Sequence, residues 1–175
     1  MDAHRIIDLL GLQPLPIEGG FFRETWRSPD VVPTQTLGGT WTRFDRDKIA
    51  GSAIYYLLTD APDSFSAFHR LPTDEVYHFY LGDPVEQWHL HPDGHSARLV
   101  LGHAIADGQH VQAIAPAGVW QGSRLCPGGR FALLGTTMAP GFDPRDYEHG
   151  DRDALLASFP TARDVVVALT RPAGV

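Results

Sequence analysis

A single cysteine, Cys126, stands in the whole chain. No internal disulfide can form, and nothing in the sequence calls for an oxidising compartment. No window approaches the roughly 20 apolar residues that a membrane-spanning helix needs. The opening residues, M-D-A-H-R-I-I-D-L-L-G, lack the basic start and long apolar core of a secretory leader, so a cytoplasmic protein is expected. Positive charge is in deficit: 14 basic against 21 acidic residues leave a net charge of −7 with no long run of either sign. Repulsion makes nucleic acid and anionic membranes poor partners. Absent as well are G-x-S-x-G, the phosphate-binding loop and the dinucleotide fingerprint. Cys126 precedes Pro127-Gly128-Gly129 in a turn, and nothing marks it as an activated nucleophile.

What is present is an ordinary globular composition, 43% hydrophobic and 20% charged over 175 residues. That is enough for a single domain, 1–175, with a sizeable core. Residues 2–10 read as a short helix with Asp2 as its cap and Gly11 as its end. Residues 21–26 alternate as a first strand, and 28–40 read as an exposed loop in which Val31-Val32 touches down. From residue 51 the pattern is strand and turn. Strands are expected at 52–59, 64–70, 76–81, 85–91, 97–101, 111–115, 119–125 and 130–138, separated by Gly/Pro turns, as in an all-β sandwich or barrel. Two short helices, 151–159 and 161–170, follow on either side of Pro160.

Chemistry concentrates in residues 64–83, S-F-S-A-F-H-R-L-P-T-D-E-V-Y-H-F-Y-L-G-D. An apolar strand ends at His69, a turn follows, and a second strand starts at Glu75. A hairpin would bring imidazole and carboxylate together, as a metal site with ligands missing or as an acid–base couple. Strand parity puts Tyr77 and Phe79 on the face of Glu75, with Val76, His78 and Tyr80 opposite. Gln121 shares a face with Val119. Trp88 alternates with its neighbours, and either set of that strand can face inward. The remaining histidines sit in or beside turns and read as surface residues.

This stretch resembles the first motif of the cupin superfamily, whose His, Glu and Gly positions are matched by His69, Glu75 and Gly82. Leu71 stands where the motif has a second His. The second motif is matched by Pro116-Ala117-Gly118-Val119-Trp120, with Gln121 in place of its His. More narrowly the chain is similar to a branch of small cupins known as a domain of unknown function. That likeness rests on Glu18-Gly19-Gly20-Phe21-Phe22-Arg23-Glu24-Thr25, on His69-Arg70 with Asp74-Glu75, on His78-Phe79-Tyr80, on Gly82-Asp83-Pro84, on Pro116 to Gln121 and on Ala139 to Asp143. Where the branch has His-Pro before Glu-Gly-Gly, this chain has Pro16-Ile17.

The resemblance implies an all-β, cupin-type jelly-roll β-barrel with short N- and C-terminal helices. It also implies a homodimer and an interior pocket for a small polar or sugar-like molecule. On this reading His69 abstracts a proton next to a carbonyl, Glu75 orients it, and Tyr77 or Gln121 steadies the oxyanion, as in a metal-independent epimerase, isomerase or lyase. Gln121, Glu24, Phe22 and Trp88 are the candidate ligand contacts. Two alternatives stay open: a non-catalytic binding or storage cupin, and a metal-dependent enzyme using His69, Glu75 and Gln121. With two imidazoles replaced, no cofactor is expected beyond a weak or adventitious divalent metal.

Overall fold

Glycine and proline turns cut the chain into short strands, and alternation along each strand decides which face it buries. In the computed structural model, which describes residues 2–34 and 44–171, these strands build two facing antiparallel sheets. One has the order β1 (Gln13–Pro14), β2 (Phe21–Arg27), β5 (Ser52–Thr59), β12 (Phe131–Met138), β7 (Glu75–Gly82) and β10 (Gln112–Ala115). The other runs β13 (Glu148–His149), β6 (Ser66–Arg70), β11 (Trp120–Leu125), β8 (Val85–Leu90) and β9 (Ser96–Leu101). A ribbon of β3 (Val31–Val32) and β4 (Lys48–Ile49) completes the set, so Val31-Val32 does touch down. The rest of the expected 28–40 loop, beyond residue 34, lies outside the described residues. Each strand expected between 52 and 138 is found, its ends within two residues of the sequence reading. The result is a jelly-roll sandwich whose sheets do not close into a continuous ring.

Three apolar layers hold it. Tyr56, Leu58, Phe79 and Leu134 meet Val85 between the sheets. Helix α1 (Ala3–Leu10) lays Ile6 over Leu57, Phe131 and Leu133 on the outside of the six-stranded sheet. Its cap is Asp2, whose side chain accepts from Arg5 N, and it ends at the left-handed Gly11. On the outside of the five-stranded sheet, α2 (Arg152–Ser158) and α3 (Arg163–Ala168) cover Phe68, Leu90 and Trp88. No helix among the described residues is long and apolar enough to cross a membrane.

One local expectation is corrected. β6 and β7 do not form a hairpin: β6 pairs with β11 and β13, β7 with β12 and β10. The chain changes sheets at residues 71–74, so His69 and Glu75 meet across the sandwich. Two bonds pin this crossing to the 116–118 turn, with Asp74 accepting from Ala117 N at 2.7 Å and Leu71 O accepting from Gly118 N at 2.8 Å. Both sequence motifs are thereby clamped at one end of the sandwich.

Candidate functional site

At that end a cavity opens between the sheets, with about 80 Å³ open to the centre of a water-sized sphere. One water needs roughly 10–15 Å³ on that measure, so the space suits a molecule of several heavy atoms. Apolar and aromatic side chains form most of its wall, among them Phe22, Leu71, Tyr77 and Tyr147. His69, Glu75, Glu18 and Thr136 bring the polar groups. Larger grooves elsewhere, beside α1 and beside α3, lie at the surface away from these residues.

His69 is 2% exposed. Its Nδ1 lies 2.8 Å from Ala67 O, so that nitrogen carries a hydrogen and donates it. The ring stacks on Tyr147, with centroids 5.1 Å apart. Nε2 is thus aimed, and its ion-pair partner Glu75 Oε2 is 3.9 Å away, beyond a hydrogen bond. Glu75, 6% exposed, is held on the other side. Gln121 Nε2 donates to Oε2 at 2.8 Å and Tyr77 OH at 3.3 Å, and Thr136 also favours its charged form. Burial opposes a charge on Glu75, but His69, Thr136 and Gln121 outweigh it, and its pKa falls below the usual carboxylate value. Burial also opposes protonation of His69, yet Glu18 and then Glu75 overcome it and push the imidazole up to about 9. Both shifts favour imidazolium beside carboxylate at neutral pH. An imidazolium suits an acid, whereas the sequence alone suggests His69 as the base. The phenol of Tyr77, pushed well above its ordinary value by burial and by Glu75, stays protonated and is engaged with Glu75.

Glu18 is the residue the sequence reading missed. It sits where residues 15–20 cross the cavity, and Ser66 Oγ donates to its Oε1 at 2.8 Å. The paired glycines allow the crossing: Gly19 and Gly20 have φ of 106° and 70°, and a Cβ on Gly19 would sit 2.3 Å from Phe65 O. Burial raises the Glu18 pKa, and the His69 charge only partly offsets this. Ser66 reaches the interior through a bulge. β6 pairs Ser66 with Ser123 and His69 with Gln121, so two residues, Ala67 and Phe68, oppose Gly122 alone. Ser66 and His69 consequently share a face that strict alternation denies them. Gly122 leaves the room, since a Cβ there would lie 3.2 Å from the Phe68 ring.

The other expected contacts divide. Phe22 lines the cavity. Glu24 is at its edge, half-exposed and already bound to Arg27 at 2.7 Å. Gln121 acts through Glu75, and its Oε1 accepts weakly from Gln87 at 3.5 Å. Trp88 does not reach the cavity: it belongs to the outer layer beneath α3. On β8 it is Gln87 and His89 that face the partner positions Ser123 and Gln121 from inside, both nearly fully buried. His89 is driven down to about 4 by burial and by His91, and so is neutral.

The donor set does not fit a firmly held divalent metal. Leu71 is apolar and lines the wall, while the Gln121 amide turns its NH₂ toward Glu75. Among the described residues no three His, Cys, Asp or Glu side chains are grouped to share an ion. Purified without chelators, the protein is expected to carry well under one equivalent of Fe, Mn, Ni or Zn by elemental analysis. Near-stoichiometric metal that vanishes in His69→Ala would overturn this.

Comparison with known proteins agrees with this architecture. The family described as Cupin_5, cupin superfamily (DUF985), matches residues 4–150. Uncharacterized protein YML079W of Saccharomyces cerevisiae is 31% identical over 136 residues, covering 74% of this chain and 66% of that protein, just under two thirds of its length. Among solved structures, protein SO0799 from Shewanella oneidensis is 34% identical with a TM-score of 0.83, covering 98% of this chain and 99% of that one. A hypothetical protein from Leishmania major is 27% identical with a TM-score of 0.85, covering 98% and 100%. Oxalate decarboxylase from Bacillus subtilis shares the fold alone, at 12% identity and a TM-score of 0.51 over 90% of this chain and 37% of that one. The chain belongs to the Cupin_5 (DUF985) family of the cupin superfamily.

Proposed function

We propose that the cavity binds a small polar molecule and moves a proton on it without a metal. His69 is the acid and Glu75 the base. The observation that carries this reading is the 3.9 Å gap between His69 Nε2 and Glu75 Oε2, two oppositely charged and oriented groups that one ligand atom pair can bridge. A C–H beside a carbonyl gives its proton to Glu75. The electron pair moves into the enolate, and the enolate oxygen takes the Nε2 proton. Return of that proton from Glu75 to the former carbonyl carbon, with neutral His69 taking the proton of the adjacent hydroxyl, isomerises the molecule. Tyr77 and Gln121 hold Glu75 rather than an oxyanion. In D₂O, C–H exchange is expected in a panel of small hydroxy-carbonyl compounds and should disappear in His69→Asn. Binding without any exchange would leave the non-catalytic cupin as the correct reading.

We also propose a homodimer. α1 covers only part of the outer face of the six-stranded sheet, and beside it Tyr80, Trp26 and Ile114 remain 44%, 50% and 54% exposed. Tyr80 packs edge-on to Tyr55 and flat on His78, an aromatic patch that water solvates poorly. Light scattering at micromolar concentration should give twice the chain mass, and Tyr80→Arg should shift it toward the monomer. A wild-type monomer would sink the proposal.

A further inference from the structure

The charges around the cavity identify which head group its occupant carries, provided the cavity binds a small molecule as proposed above. Among the described lining residues there is no lysine or arginine. The acids there are Glu18, Glu75 and, at the edge, Glu24. Glu24 is neutralised by Arg27. That leaves two carboxylates, Glu75 buried and Glu18 half-buried, and one imidazole to serve both. Glu75 Oε2 already accepts from Gln121 and Tyr77. Glu18 is less fully held: Ser66 donates to Oε1, and among the described residues no other side-chain donor reaches its carboxylate.

We propose that the cavity selects a short primary amine, its ammonium head seated against Glu18 and its body along the apolar wall at Leu71. An ammonium supplies three donors and the missing positive charge. The phenol of Tyr147, stacked on His69, has a buried oxygen with no partner and can accept one of those hydrogens. Burial lifts the Glu18 pKa because no full counter-charge is present, and a cationic head removes that penalty. An anionic head meets the opposite situation. It would lie against two carboxylates, and the described lining offers it no cation but His69, which Glu75 already engages. Phosphorylated sugars, nucleotides and short carboxylic acids are therefore disfavoured, although a polar pocket of this size would otherwise admit the smaller ones.

The test uses three probes of one length that differ only in head charge: butylamine, butan-1-ol and butanoate, titrated at neutral pH by isothermal calorimetry. Butylamine is expected to bind at least ~10-fold more tightly than either other probe, a gap of about 1.4 kcal/mol. Glu18→Gln, which keeps the acceptor for Ser66, should erase that preference without unfolding the protein, as circular dichroism would report. Leu71→Trp, which fills the cavity, should abolish binding of all three. Butanol or butanoate binding as well as the amine, and lost in Leu71→Trp, would overturn the amine inference while leaving the binding cavity intact. No binding by any probe would overturn both. A preference for butylamine that survives Glu18→Gln would remove Glu18 from the role assigned to it.

Discussion

Between pH 6.5 and pH 9 the folded protein is expected to lose roughly 3 kcal/mol of stability that a His69→Gln variant does not lose. The unfolded imidazole titrates at 6.5 and the folded one at about 9. A raised folded pKa means the native state holds its proton more tightly. The stabilisation is fully present below the unfolded value and is gone once the pH passes the folded one. Each unit is about 1.4 kcal/mol, so this window is worth roughly 3, or about 6–12 °C in melting temperature for a domain of this size. Glu18 acts in the same direction. Its pKa is also raised, so ionising it as the pH climbs from 4.5 costs stability. Glu75 has the opposite sign: its depressed pKa contributes above the ordinary carboxylate value and is lost as the pH falls. The optimum should therefore be mildly acidic. Chemical denaturation at several pH values would decide it, and a wild-type stability flat from pH 6.5 to 9 would refute the coupling.

The same burial decides what truncation does. His69→Ala leaves the buried Glu75 and the half-buried Glu18 with their shared cation gone, a loss of roughly 3–5 kcal/mol at neutral pH. Adding Glu75→Gln should restore much of it, because one of the two unpaired charges is removed while the acceptors for Gln121 and Tyr77 remain. A cost within ~1 kcal/mol, typical of a hydrogen bond, would mean the pair is better solvated than its 2% and 6% exposures indicate. His69 is thus both a site residue and a structural one, and loss of stability alone does not argue against function.

The strands were legible because turn residues punctuate a period-two pattern, and that signal is local. Parity also placed Tyr77 and Phe79 inward correctly, since Glu75, Tyr77 and Phe79 are all buried. Where local signals stop, the reading stops. The crossing at 71–74 looks like a hairpin turn because Pro72 and Asp74 suit both, and strand partners are set by distant residues. Ser66 was hidden by a bulge that depends on Gly122 in another strand. On β8 both faces are buried, one by the cavity side and one by α3, so composition could not choose between Trp88 and the pair Gln87 and His89. Glu18 carried one available signal, a carboxylate before two glycines. Close backbone approach was readable from it, but not that the side chain turns inward. The protonation of His69 was out of reach too, because it depends on Glu18.

Lys48→Met should be among the most damaging single changes away from the cavity, lowering stability by roughly 3–5 kcal/mol. Lys48 is 3% exposed and its Nζ lies 2.5 Å from Asp146 and 3.3 Å from Asp143. Methionine matches the stem as far as Cε and removes the ammonium with its donors, so the loss reports mainly the ion network rather than a void. Arg145 remains on Asp143 and Arg46 on Asp146, but both reach in from the more solvated side and neither replaces the interior cation. The consequence should extend to the site. Residues 143–146 lead directly to Tyr147, which stacks on His69, and then to β13, where His149 pairs with His69. Loosening the network frees one wall of the cavity while leaving His69, Glu75 and Glu18 in the sequence. Hydrogen exchange should accordingly rise at Gly150, whose N–H is bonded to Phe68 O at 2.7 Å, more than at strand-centre amides of β12. Lys48→Arg, which retains a charge, should lose far less. If Lys48→Met melts within ~1 °C of wild type, the two remaining arginines suffice and the buried lysine does not hold the wall.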